Sequence, residues 1–406
     1  MTQSKAKLWT KDFIIVSSVN FFLTLIFYLL MVTMALYAVE AYDATPSQAG
    51  LVTGIFIIGT LIGRLFIGRS IDKIGRKKTL VIGLIIFTIV TSIYFIDAGI
   101  TFLLITRFIH GLTLGMASTA SGTIVASIIP HSRKGEGIGY FSMSATLATA
   151  IGPFIGLIMS QHTSFQMIFA FCLVLGIISL FIGMTVKVQE LTQAELEKAD
   201  IAGFKISGFI EPKAFPIAIV VLTVAFCYSS VLSFINFYAI EADLVNAASF
   251  FFFVYAVAVL ISRPFTGRLM DIKGANFIMY PAFILMGGGL LLLSTASSAA
   301  TLLISGALIG LGFGNMQSCT QAIAVKLTPT HRMGLATSTF FIFLDAGLGF
   351  GPYLLGLMIP YTGYSLLYVY MGSIVLVAII LYYFVHGKKE NPRRTKGAVN
   401  HHSASV

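Results

Sequence analysis

Apolar residues along this chain do not alternate with polar ones. They come in long unbroken runs separated by short polar breaks. Crossing the hydrocarbon core of a bilayer takes about 20 apolar residues in a helix. Runs of that size lie near 13–39, 47–67, 79–96, 101–128, 138–160 and 164–186, and again near 214–240, 247–266, 277–296, 300–327, 334–358 and 364–385. Backbone polar groups in lipid must be satisfied internally, so such runs form helices or a closed barrel. Barrel strands would show alternating segments of about 10 residues, and none is seen. The pattern predicts an all-α membrane protein of twelve transmembrane helices in two six-helix halves. The halves are 1–186 and 214–385, joined by a polar linker at 187–213 and followed by a polar, basic tail at 386–406 that reads as disordered.

A repeat supports the division. Arg64-Leu65-Phe66-Ile67-Gly68-Arg69-Ser70-Ile71-Asp72-Lys73-Ile74-Gly75 returns as Arg263-Pro264-Phe265-Thr266-Gly267-Arg268-Leu269-Met270-Asp271-Ile272-Lys273-Gly274, with six of twelve positions identical. The offset from Arg64 to Arg263, 199 positions, also relates Gly111 to Gly310, Gly115 to Gly314, Arg133 to Arg332 and Gly152-Pro153 to Gly351-Pro352. One half was duplicated with few insertions. Membrane-spanning repeats of this kind hold a substrate site at their interface.

Charge narrows the picture. Charged residues make up 10% of the chain and hydrophobic ones 57%, and mean hydropathy is +0.92. Soluble domains carry roughly 25% charged residues. The net charge of +10 is not a nucleic-acid footprint, because Lys and Arg occupy every second loop and both tails. The alternate loops carry Glu40, Asp43, Asp97, Glu241 and Asp243. This positive-inside pattern places both termini in the cytoplasm. The first apolar run is too long for a signal-peptide core and reads as a retained span. Cys172, Cys227 and Cys319 all sit inside apolar runs, so no disulfide framework is expected. The absence of an N-glycosylation sequon and the short outer loops fit a bacterial plasma membrane. In the linker, Thr192-Gln193-Ala194-Glu195 is a capping box that predicts a short helix. No phosphate loop or metal-ligand spacing is present, so neither ATP, cofactor nor metal is expected, and no enzyme motif is found. A monomer with protons, a small-molecule substrate and the lipid bilayer as partners is the simplest expectation.

The loop Gly68-x3-Asp72-x2-Gly75-Arg76-Lys77-Lys78 and its degenerate copy Gly267-x3-Asp271-x2-Gly274 resemble the signature loop of the major facilitator superfamily. Physically, Gly68 lets its helix approach a neighbour closely. Asp72 can pair with Arg69, Arg76, Lys77 or Lys78, or cap a helix N-terminus in the other half. Such a network latches the inner side. In the fifth span, Gly139-x8-Ala148-x3-Gly152-Pro153-x2-Gly156-Leu157 resembles the antiporter motif of the superfamily's drug:proton exporters, with Ala148 and Leu157 at two glycine positions. Its eleventh-span counterpart is Gly347-x3-Gly351-Pro352. A Gly-Pro step in a buried helix frees a carbonyl and bends the chain.

Arg107 lies inside the fourth span with His110, Gly111, Leu114, Gly115 and Ser118 on its face, and Arg107-x2-His110-Gly111 resembles the fourth-span Arg motif of the same superfamily. A charge in a span costs about 2.5–3.5 kcal/mol on insertion scales and points to function. Asp345 is the only carboxylate deep in a span, 13 residues beyond Arg332 and so about 20 Å along its helix. Such a group holds a proton until water or a cation reaches it, which is what proton coupling needs. Asp345, with Arg107 and His110, is the expected proton-coupling set. Asn20, Thr24, Tyr28, Tyr228, Asn236, Asn315, Gln317 and Gln321 are expected to line a wide, mostly apolar substrate cavity. The reading is a secondary transporter exporting amphipathic or drug-like molecules against proton entry. Import of a small metabolite, and export of a lipid or siderophore-like metabolite, are the alternatives. A non-transporting sensor would need a signalling domain that the short tails do not supply.

Overall fold

The computed structural model describes residues 7–44, 46–190, 192 and 208–390. Twelve helical spans account for nearly all of it, and no strand occurs among the described residues. The first six are Lys11–Tyr42, Pro46–Ile74, Arg76–Ile93, Gly99–Ile128, Lys134–His162 and Phe165–Met184. The next three are Phe215–Glu241, Val245–Lys273 and Asn276–Ser294. The tenth is interrupted: Ala299–Ile309, a π-helical turn at Gly310–Gly314, then Asn315–Lys326. The eleventh and twelfth form one continuous helical stretch, Met333–Val385, broken only at Gly363 (φ 65°, ψ −179°).

Eleven described segments are long and apolar enough to cross a membrane. The third span, Arg76–Ile93, has the length but opens on Arg76-Lys77-Lys78. Several helices overrun their apolar runs. The second continues past residue 67 through the signature loop to Ile74, and the eighth continues past 266 to Lys273. Each then breaks on a glycine in the left-handed region, Gly75 (φ 101°) and Gly274 (φ 92°), where a β-carbon would be strained. All of the capping box but Thr192, and the tail beyond 390, lie outside the described residues.

The chain divides into two compact units. The first comprises 1–130, 144–211 and 328–342; the second comprises 131–143, 212–327 and 343–406. This differs from the halves read off the sequence. The start of the fifth span belongs with the second unit, and the start of the eleventh with the first. The two exchanged segments are symmetry copies, and each is held by a signature loop.

Within the first unit, spans two and four meet backbone to backbone. Gly59 and Gly63 lie on the carbonyls of Phe108 and Leu112, and Gly111 and Gly115 on those of Phe56 and Thr60. Lipid is as apolar as leucine, so helices in it associate by close packing of small residues. Within the second unit the tenth span packs likewise, with Gly306 and Gly310 against Phe251 and Tyr255 of the eighth, and Gly312 against Ala282 and Met286 of the ninth.

Candidate functional site

The first signature loop builds a buried charge cluster in the first unit. Asp72 and Arg76 are 8% and 1% exposed. They sit on either side of the Gly75 break, which turns the guanidinium onto the carboxylate, with Nε and Nη2 both 2.8 Å from Asp72 Oδ1. Arg76 Nη2 also donates to Thr330 O at 2.8 Å. The other carboxylate oxygen of Asp72 accepts from Gly334 N at 3.2 Å, at the start of the eleventh span. Gly68 abuts Ser338 with no room for a β-carbon, and Ser338 Oγ donates to Arg64 O at 2.6 Å. Glu211, at the end of the linker, receives Arg332 Nε at 2.5 Å. Asp72 therefore both pairs with a base of its own loop and caps a helix from the other sequence half. This is why residues 328–342 pack with the first unit.

The second copy does the same in the second unit with different parts. Asp271 accepts from Gly135 N and Glu136 N, each at 2.8 Å, at the start of the fifth span. Its base is Lys326 of the tenth span, 2.7 Å away. Gly267 lies against Gly135 and Glu136, where a β-carbon would meet backbone at 2.8 Å. Arg133 closes the turn onto Glu136 at 2.8 Å.

Two further carboxylates were not singled out from the sequence. Glu190 accepts from the amides of Arg76 and Lys77 at 2.8 and 2.9 Å. Glu390 accepts from those of Ala275 and Asn276 at 2.5 and 2.6 Å. Each follows the last span of its half and returns to cap the third or ninth helix, where an anion at a helix N-terminus is stabilising. Their nearly equal distances beyond Gly75 and Gly274, 115 and 116 positions, were the available signal.

The antiporter-like run seats the fifth span on the first. A β-carbon at Gly152 would meet Tyr28 at 2.8 Å and Leu25 O at 3.2 Å; one at Gly156 would meet Leu29 O at 3.0 Å. Ala148 is fully buried and Pro153 is inside the helix. The counterpart holds in the second unit, where Gly347 lies on Leu222 O and Gly351 on Ser229 of the seventh span, with Pro352 inside the helix.

The expected proton-coupling set separates. Arg107 and His110 are 1% and 0% exposed, sealed among spans two, three and four. Arg107 Nε donates to Val52 O at 3.1 Å, Nη1 reaches Tyr94 Oη at 3.4 Å, and the guanidinium lies 4.4 Å from the centre of the Phe56 ring. His110 bonds Tyr94 Oη through Nδ1 at 2.9 Å and Thr91 Oγ1 through Nε2 at 3.1 Å. Their face of the fourth span meets the second span through Gly111 and Gly115. Asp345 is half-buried on the eleventh span and has interactions of its own, so it is not the isolated carboxylate that the sequence suggests.

The expected cavity residues also divide. Asn315 is a packing residue: its amide donates to Ser262 Oγ at 3.0 Å and Leu311 O at 2.7 Å, and its carbonyl accepts from Thr266 at 2.7 Å. It follows directly on the π-turn and bonds the eighth span. Tyr228 is buried between Tyr255 and Phe313, with ring centres 5.5 and 4.1 Å away. Asn20 donates to Ser144 at 2.9 Å, and Gln321 is buried. Thr24, Tyr28 and Gln317 are half-buried. The side chain of Asn236 lies outside the described set. No group of three or more metal-binding side chains occurs among the described residues.

Comparison with known proteins agrees with this architecture. The Major Facilitator Superfamily model matches residues 16–344 and 245–405. An uncharacterised MFS-type transporter of Methanocaldococcus jannaschii is 26% identical over 86% of this chain and 92% of its own length. The staphylopine export protein of Staphylococcus aureus is 21% identical over 86% and 89%. The quinolone resistance protein NorA of the same species is 31% identical, but over only 33% and 34%. Among solved structures, the human organic anion transporter MFSD10 superposes with a TM-score of 0.75 over 91% of this chain and 98% of its own, at 14% identity. The transporter FucP superposes with 0.73 over 93% and 99%, also at 14%. With twelve spans, a duplicated half and two copies of the signature loop, this chain belongs to the Major Facilitator Superfamily of transporters.

Proposed function

We propose that this chain exports amphipathic, drug-like molecules in exchange for protons, by alternating access, as a monomer in the plasma membrane with both termini in the cytoplasm. The observation that carries export is the Gly152-Pro153-x2-Gly156 run, seated directly on the first span. Relatives named for export and for drug resistance support it. The Asp72 and Asp271 anchors serve as paired cytoplasmic latches. Each ties the end of one span to the start of another.

The proton is assigned to Asp345. Arg107 and His110, both sealed in helix packing, hold the fourth span in position instead. Loading Asp345 from outside and unloading it inward would couple the gradient to substrate release. A second reading, export of one dedicated metabolite, is favoured by the length of the match to the staphylopine export protein, far greater than that to NorA.

The test is dye accumulation in cells stripped of other efflux pumps. Expression should lower intracellular lipophilic dye, and an uncoupler should abolish the effect. Unchanged dye would leave the dedicated-metabolite reading. Raised dye would mean import and overturn export.

A further inference from the structure

Five helix ends converge on one side of the second unit: the starts of the seventh and ninth spans and the ends of the eighth, tenth and twelfth. They surround a cavity of about 460 Å³. Its wall includes Ile217, Ile323 and Val385, and its rim carries Lys213, Lys326 and Lys389. Lys213 and Lys389 are exposed and Lys326 is half-exposed. The one carboxylate in the lining, Glu390, is turned onto the amides of Ala275 and Asn276. Lys326 also holds Asp271, which links the cavity to the second latch.

Alternation of antiparallel spans puts all five ends on the side of the basic loops. On the orientation proposed above, that is the headgroup level of the inner leaflet. The lining itself is largely apolar away from the lysines, with Pro216, Met270 and Leu327 beside Ile217, Ile323 and Val385. Basic pockets between transmembrane helices on the cytoplasmic side suit acidic lipid headgroups. We propose that this cavity binds the phosphate headgroup of an anionic phospholipid, with the acyl-glycerol part on the apolar wall. Phosphate chemistry alone would also admit free phosphate. The apolar wall is what favours the lipid.

The test uses purified full-length protein in nanodiscs of phosphatidylcholine with phosphatidylglycerol, read by native mass spectrometry of retained lipid. This readout depends on neither transport nor sidedness, so it can fail while the export reading stands, and the reverse. Phosphatidylglycerol should be retained in preference to phosphatidylcholine. The exposed pair Lys213→Gln/Lys389→Gln should weaken its binding roughly thirtyfold. Lys213→Arg/Lys389→Arg should keep it, and Lys7→Gln/Lys11→Gln, at the first span, should leave it unchanged. In a thermal-melt arm, phosphatidylglycerol should protect and inorganic phosphate should not. No preference for phosphatidylglycerol, an equal loss in the Lys7/Lys11 variant, or equal protection by inorganic phosphate would overturn the proposal.

Discussion

The two signature loops descend from one segment yet hold their helix ends by different means. In the first, the aspartate is gripped by an arginine four residues on, across the Gly75 break at the start of the next helix, both almost fully enclosed, and it makes a single 3.2 Å bond to the eleventh span, which it caps. In the second, position 275 is alanine where position 76 is arginine. There the aspartate makes two 2.8 Å bonds to the capped helix and draws its cation from the tenth span. The acceptor and the capped helix start are kept, while the base is replaceable. The cap is the feature the two copies share, and the cation is the part that varies. The two copies also differ in how a lost partner would be tolerated. Arg76 has a side chain only 2% exposed, whereas that of Lys326 is 26% exposed and can hydrate.

This difference ranks the substitutions. Asp72→Asn leaves Arg76 buried without a counter-charge and should cost about 3–5 kcal/mol. A double-mutant cycle with Arg76→Gln, read by thermal unfolding in detergent, should recover part of that loss. If the single variant unfolds like the parent, the enclosed pair is not a linchpin. The repeat arginines ahead of each loop give a second contrast. Arg64 faces the Phe341 ring at 4.4 Å, while Arg263 is 1% exposed and its three guanidinium nitrogens have no partner among the described residues. Arg263→Met should therefore raise the melting temperature, by the equivalent of about 1–4 kcal/mol. A lower melting temperature would show that the guanidinium has a partner in the working protein. Asp271→Asn should cost about 1–2 kcal/mol, the worth of a helix cap, with transport slowed more than stability is lost. Lys326→Gln should cost less than about 1 kcal/mol, as partly exposed ion pairs do. A larger loss for Lys326→Gln than for Asp271→Asn would make the cation, not the cap, the working element of the second latch.

The fold was largely legible because lipid imposes it. Apolar run length gives the spans, and the repeat register gives the symmetry. Asp72 was legible as a capping residue because a carboxylate beside a helix break has few other uses. Three features were not. The π-turn at Gly310–Gly314 shares its outer glycines with its regular-helix copy at 111–115 and differs by Gly312 in place of Thr113, a change no spacing rule reads as a π-turn, and Asn315 just after it is taken up in packing. The enclosure of Arg107 and His110 depends on Tyr94 and Thr91, residues of another helix that no spacing rule connects to them. Lys326 as the partner of Asp271 required a contact between the eighth and tenth spans. Sequence pattern finds what repeats along one helix, and these three depend on what neighbouring helices supply.

Proton coupling through Asp345 is open to the most direct test. Purified protein in liposomes, loaded with a transported dye and placed under an inward proton gradient, should expel dye at a rate that follows the gradient. The Asp345→Asn variant carries the shape of the protonated side chain and no charge to titrate. It should still exchange dye for dye at equilibrium, with no dependence on pH, and should lose all gradient-driven transport. If the variant still moves dye against its concentration when the gradient is imposed, the proton is carried elsewhere and Asp345 is not the coupling site.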